Sequence, residues 1–115
     1  MENINLENME RIEVPRIDKT QYVGQKTKIA KVEIVDTKFG KAVEVVSETL
    51  EIIERLEKDD IVIVASKLFS LSDESKIVVD GKLDKFLTQN DCKQPKDLIG
   101  KEVEVFLNEK NYLTF

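Results

Sequence analysis

Histidine and tryptophan are absent from this chain, and cysteine occurs once, at Cys92. Without histidine the commonest general base and neutral-pH metal ligand is missing. One cysteine can form neither an internal disulfide nor a structural zinc site, which suits a reducing cytoplasm. Long apolar runs are lacking too: the longest, Ile61-Val62-Ile63-Val64-Ala65, is far short of a membrane span. The opening Met1-Glu2-Asn3 has no basic-then-apolar signal pattern. No glycine-rich phosphate loop and no serine-centred nucleophile motif occurs. Paired acids at Asp59-Asp60 and Asp73-Glu74 fall in expected turns, where carboxylates face solvent. The expectation is a non-catalytic, cytoplasmic protein with no cofactor and no metal.

What is present fits one globular domain. The 115 residues suffice for a single core, with 41% hydrophobic and 36% charged residues. The wealth of Lys, Glu and Ile with little Cys and Met is a composition seen in heat-adapted organisms. Net charge is −5, which argues against a purely electrostatic nucleic-acid binder. The charge is uneven. Residues 26–47 carry five lysines against three acids, and residues 48–60 carry six acids against Arg55 and Lys58.

The pattern is mostly strand. Residues 28–36 and 42–48 mix Val and Ile with charge at strand-like spacing around the turn Thr37-Lys38-Phe39-Gly40-Lys41, and read as a β-hairpin. In the first strand, Ala30, Val32 and Ile34 share one face and Lys31 and Glu33 the other. In the second, Val43 and Val45 oppose Glu44. Residues 61–69 supply a third strand. Residues 50–58 fit either a helical stripe (Leu50, Ile53, Leu56) or strand alternation; their neighbours favour a strand to about Leu56 and a turn at residues 57–60. Leu83, Phe86 and Leu87 sit at i, i+3 and i+4, which predicts a short amphipathic helix over 82–90. Residues 95–100 form a helical turn or tight loop led by Pro95. Val103, Val105 and Leu107 alternate with Glu102, Glu104 and Phe106, a turn follows at 108–111, and residues 112–115 return as the last strand. Residues 1–13 form an N-terminal arm, and residues 14–115 the domain, with Val14 extended before Pro15. Residues 39–46 echo residues 99–106, each an apolar-Gly-Lys entry to a strand that suits a bend or bulge.

Three strands, a helix and two strands, all-β with one short helix, is the order of a five-stranded Greek-key barrel, the OB-fold. The runs Tyr22-Val23-Gly24-Gln25, Lys38-Phe39-Gly40-Lys41, Val64-Ala65-Ser66-Lys67-Leu68-Phe69, Gly81-Lys82-Leu83, Asp97-Leu98-Ile99-Gly100-Lys101 and Tyr112-Leu113-Thr114-Phe115 resemble small archaeal OB-fold proteins. These are similar in layout to the OB domains of replication protein A and single-strand binding proteins. The chain departs from some of those relatives in having no zinc-binding cysteine cluster and no Trp. The resemblance implies a groove across the second and third strands, flanked by the first and last hairpin loops.

A sequence-tolerant single-strand binder needs aromatic faces for bases beside cations for phosphates. Lys38, Phe39 and Lys41 at the first loop, Lys67 and Phe69 on the third strand, and Lys110 and Tyr112 at the last turn adjoin the expected groove. Phe69 and Phe106 also suit core packing, and Tyr112 suits a rim or a core edge. The expectation is binding of single-stranded DNA or RNA. The alternative is a protein-interaction module or a subunit of a replication or translation assembly, marked by an exposed apolar patch in place of a cationic aromatic groove.

Overall fold

The computed structural model describes residues 17–73 and 75–115; the expected arm at 1–13 and the extended residues 14–16 lie outside them. The described chain is mostly β with one short helix. A long strand β1 (Lys26–Thr37) turns into β2 (Gly40–Ser47). Lys38 and Phe39 form the two-residue link, and Gly40 takes φ +116°, a conformation closed to most L side chains. Thr37 Oγ1 braces the turn, accepting from Phe39 N at 3.1 Å and donating to the Gly40 carbonyl at 2.8 Å. Gly24 and Gly100 also have positive φ just before strands, so the repeated Gly entries are backbone bends.

β2 leads through residues 48–50 into β3 (Glu51–Ile53), which pairs with β4 (Ile61–Ile63) as a separate hairpin. β5 (Ser66–Ser70) then returns along β2, with Val46 opposite Ser66 and Ala42 opposite Ser70. Residues 50–58 are therefore no helix, but the strand ends at Ile53, three residues before the expected Leu56. The third strand is likewise split, at Val64 and Ala65. Ser47 marks the break: its backbone N–H donates to the Ala65 carbonyl at 2.8 Å, and its Oγ accepts from Ala65 N at 2.9 Å. A side chain thus replaces one rung of the ladder where the long hairpin bends.

Helix α1 (Lys82–Gln89) buries Leu83, Phe86 and Leu87 in the core beside Val43, Val45 and Phe69. A short 3₁₀ turn, Pro95–Leu98, anchors itself through fully buried Leu98. β6 (Glu102–Glu104) pairs with the start of β1, and β7 (Phe106–Leu107) with β8 (Leu113–Thr114). The main sheet has the order β5-β2-β1-β6.

Two expectations are corrected. The first is the closed or nearly closed barrel: the sheet is open. β6 pairs only with Lys26, Thr27 and Lys28, and β8 is two residues long and touches β5 without a ladder. The strands that would close the wall are too short to do so. The second is the facing of β1. Ile29 pairs with Ser47 and Lys31 with Val46, leaving Ala30 as an extra, exposed residue in a bulge. Ile29, not Ala30, is therefore buried, while Val32 and Ile34 keep the inward face. Among the described residues no helix is long and apolar enough to cross a membrane.

Candidate functional site

The ladder registers sort the side chains where all three central strands pair. Facing inward are two rows, Ile34–Val43–Phe69 and Val32–Val45–Lys67. Facing outward are three: Val35–Ala42–Ser70, Glu33–Glu44–Leu68 and Lys31–Val46–Ser66. The outer face is the one the expected groove would occupy. It carries no aromatic ring, two glutamates and one lysine. Lys31 Nζ bridges Glu33 at 2.8 Å. Its pKa is raised first by that hydrogen bond, then by the charges of Glu33 and Glu44.

Phe69 and Lys67 accordingly leave the candidate set for base stacking and phosphate binding. Phe69 is 5% exposed, its ring 5.2 Å from that of Phe86. Alternation on β5 forces either Phe69 or Leu68 inward, and the ring finds its partner on α1. Lys67 points the same way and is half-buried. Its Nζ donates to the Phe115 main-chain oxygen at 3.1 Å and lies 5.3 Å from the Phe86 centroid. Lys41 is exposed but holds Asp36 at 2.6 Å.

The remaining candidates separate into two places. Phe39 is 86% exposed at the tip of the first hairpin, with Lys38 Nζ 5.1 Å from its ring centroid. Tyr112 is exposed after the last turn, where Asn108 Oδ1 accepts from Lys110 N and Tyr112 N at 2.9 and 3.0 Å. Lys110 itself is exposed. The cation at Tyr112 is Lys19, which the sequence reading passed over: its Nζ lies 5.4 Å from the ring centroid and donates to the Asn111 carbonyl at 3.0 Å. Tyr112 and Lys19 share a 230 Å³ hollow with Ser66, while Phe39 lies beyond the Ser70 end of β5. Four residues of strand, roughly 13 Å, separate those ends before the hairpin tip is added.

An unexpected feature is an apolar groove on the inner face. β1 is 12 residues long, roughly 40 Å of strand, whereas the eight residues of α1 span roughly 12 Å. The helix cannot cover the whole face, and Ile34 is left 53% exposed. Beneath it a hollow of about 350 Å³ is lined by Val32, Ile34, Val43, Leu71, Ile77 and Leu83, with Pro95 at its edge. A neighbouring hollow of about 320 Å³ shares Leu71, Lys76, Ile77 and Leu83, so the two form one groove.

Local turns place lysines along its rim. Asp73 Oδ1 accepts from Ser75 N at 2.9 Å, and Lys76 follows, 3.9 Å from the Asp73 carboxylate. Gly81 precedes Lys82; a Cβ at Gly81 would lie 3.1 Å from the Val78 carbonyl, a tight approach. The box at the Pro95–Leu98 turn, with Asp97 Oδ2 accepting from Gln94 N at 3.0 Å, presents Lys96. Composition alone could not find this groove, because its lining comes from six separated segments. Among the described residues no group of three or more His, Cys, Asp or Glu is placed to hold a metal ion. No protein family, curated protein or solved structure matches this chain.

Proposed function

We propose that this chain is an OB-like domain that acts by docking a segment of protein in the groove between the β1–β2 hairpin and α1. The layout supports the OB-like reading: a three-strand meander, a helix, then a strand returning to β1 and a last hairpin beside β5. The observation that carries the docking reading is Ile34, a large aliphatic side chain half in solvent above an apolar floor, with Lys76 and Lys96 at its rim. A monomeric surface gains nothing from such an arrangement, whereas a docked apolar side chain recovers the area left open by the short helix.

Selection from a random peptide library tests it. Enriched peptides should bind the wild type and the outer-face variant Leu68→Asp, and lose binding to Ile34→Asp. Enriched peptides that ignore Ile34→Asp, or no enrichment at all, would overturn the docking reading.

A second reading, binding of single-stranded DNA or RNA, is favoured by the two exposed cation–aromatic pairs, Lys38–Phe39 and Lys19–Tyr112. Base stacking on an exposed ring is worth roughly 1–3 kcal/mol. If this reading holds, Phe39→Ala and Tyr112→Ala each weaken an oligonucleotide by about that much at low salt. Lys38→Ala flattens the plot of log affinity against log salt by ~0.7. The glutamates on the face between the two pairs weigh against it.

A further inference from the structure

The β3–β4 hairpin has no assigned role and an unusual surface. Ile52 and Val62 form a cross-strand pair, both exposed on one face, and Leu56 at the tip is 95% exposed. Glu57, beside it, takes φ +60°, a conformation rare for a residue with a side chain, at the turn that thrusts Leu56 outward. Around these apolar residues stand Glu54, Glu57, Asp59 and Asp60 against Arg55 and Lys58. Arg55 Nε is committed to the Asp59 carbonyl at 2.8 Å.

This surface is the counterpart of the groove. The groove is apolar with Lys76, Lys82 and Lys96 at its rim; its one lining carboxylate, Glu33, is bridged by Lys31. Among the described residues no ion pair engages Lys82 or Lys96. The hairpin is apolar with a net negative rim. The hairpin continues past the Val46–Ser66 rung, whereas the groove runs from Val32 and Ile34 on β1 and Val43 on β2 to Leu71, beyond the Ala42–Ser70 rung. No residue of the hairpin lines the groove of its own chain.

We infer that the occupant of the groove is the β3–β4 hairpin of a second copy of this chain, with Leu56 entering beside Ile34 and the acidic tip residues meeting Lys82 and Lys96. This rests on reading the groove as a protein-docking site. The contact is head-to-tail, because each copy offers one knob and one hole on different surfaces. Such contacts propagate into a ring or an open filament according to the rotation between copies.

Sedimentation equilibrium tests it. Wild-type protein should show a mass rising with concentration from the 13.2 kDa monomer, less steeply as salt is added. Lys82→Glu with Lys96→Glu disables the hole, and Leu56→Asp disables the knob. Each is a surface change expected to leave the thermal melt intact and to weaken self-association tenfold or more, Leu56→Asp as a central anchor lost and the double charge reversal by setting like charges against the acidic tip. Mixing the two variants should restore pairing, stopping at a heterodimer of roughly twice the monomer mass, since one intact knob and one intact hole remain. A wild type that stays monomeric at millimolar concentration would overturn the inference. So would a mixture that fails to pair, or loss of assembly in Leu68→Asp on the outer face. Peptides that still enrich on the Ile34 groove while the wild type stays monomeric would leave the docking site standing and remove only the second copy as its occupant.

Discussion

Phe69 of β5 and Phe86 of α1 hold their rings 5.2 Å apart and tilted by 39°, with Lys67 Nζ within 6 Å of both centroids. Phe86 also meets Phe115 at 6.0 Å, so one ring ties the helix to the sheet and to the residue that follows β8. Phe86→Ala should cost about 3–5 kcal/mol, the range for deleting a buried aromatic side chain. A urea titration reads this as a lowered midpoint. A loss under ~1 kcal/mol would mean the helix is not held by that ring.

Ser47 is buried and serves both neighbours: its Oγ accepts from Ala65 N and donates to the Glu48 carbonyl, each at 2.9 Å. Ser47→Ala leaves the buried Ala65 N–H without an acceptor. The expected loss is about 1–3 kcal/mol, the cost of an unsatisfied buried donor. Hydrogen exchange at Ala65 should speed up with it. Unchanged exchange would show that the bend is held by something other than this hydroxyl.

Gly40 holds φ +116° in the first turn. A Cβ there meets no neighbouring atom, so any cost of Gly40→Ala comes from backbone strain alone. The expected destabilisation is about 1–2 kcal/mol. Lys38→Ala, next to the same turn, should stay within about 0.5 kcal/mol. Equal midpoints for Gly40→Ala and the wild type would sink this account of the turn.

Tyr22 donates its hydroxyl to Glu51 Oε1 at 2.5 Å, fastening the base of β3 to the 3₁₀ turn Lys19–Tyr22. That hydrogen bond first, then burial and the charge of Glu51, pushes the tyrosine pKa from 10.0 up to about 12. Above pH 10 the unfolded chain releases this proton while the folded chain keeps it. The contribution to stability is therefore complete below pH 10 and drains away as pH rises towards 12. Thermal melts of wild type and Tyr22→Phe should converge across that window. A gap that stays constant from pH 9 to 12 would show that the bond does not govern the titration.

Much of the fold could be read from local pattern. Gly40 between two Val-rich runs located the first hairpin, and the i, i+3, i+4 spacing of Leu83, Phe86 and Leu87 located both the helix and its buried face. What escaped was set by register and length. No composition signals that Ala30 is skipped by the ladder, so the inward face of β1 was assigned to the wrong member of the Ile29–Ala30 pair. The bend at Ser47 and Ala65 comes from a hydroxyl replacing a rung, which alternation does not reveal. For the site, a lysine and an aromatic two apart on β5 share a face whichever way that face points. Deciding that it points inward needed the ring of Phe86 across the core. The groove is a difference of lengths between β1 and α1, visible only once both are placed on the same core.

The skipped residue at Ala30 works as a parity counter for the first strand. Up to Ile29 one phase of inward and outward side chains applies; from Lys31 onward the phase is reset, because two successive residues, Ala30 and Lys31, are exposed. Losing one codon at this point would let Ile29 and Lys31 occupy consecutive rungs and leave the facing of Val32 and Ile34 untouched. Losing one codon within residues 32–36 would invert every side chain between the lesion and Ala30, turning Lys31 towards the core. Position 30 is thus where the first strand can change length without rewriting its two faces, and the phase of the whole inner surface depends on where that extra residue stands.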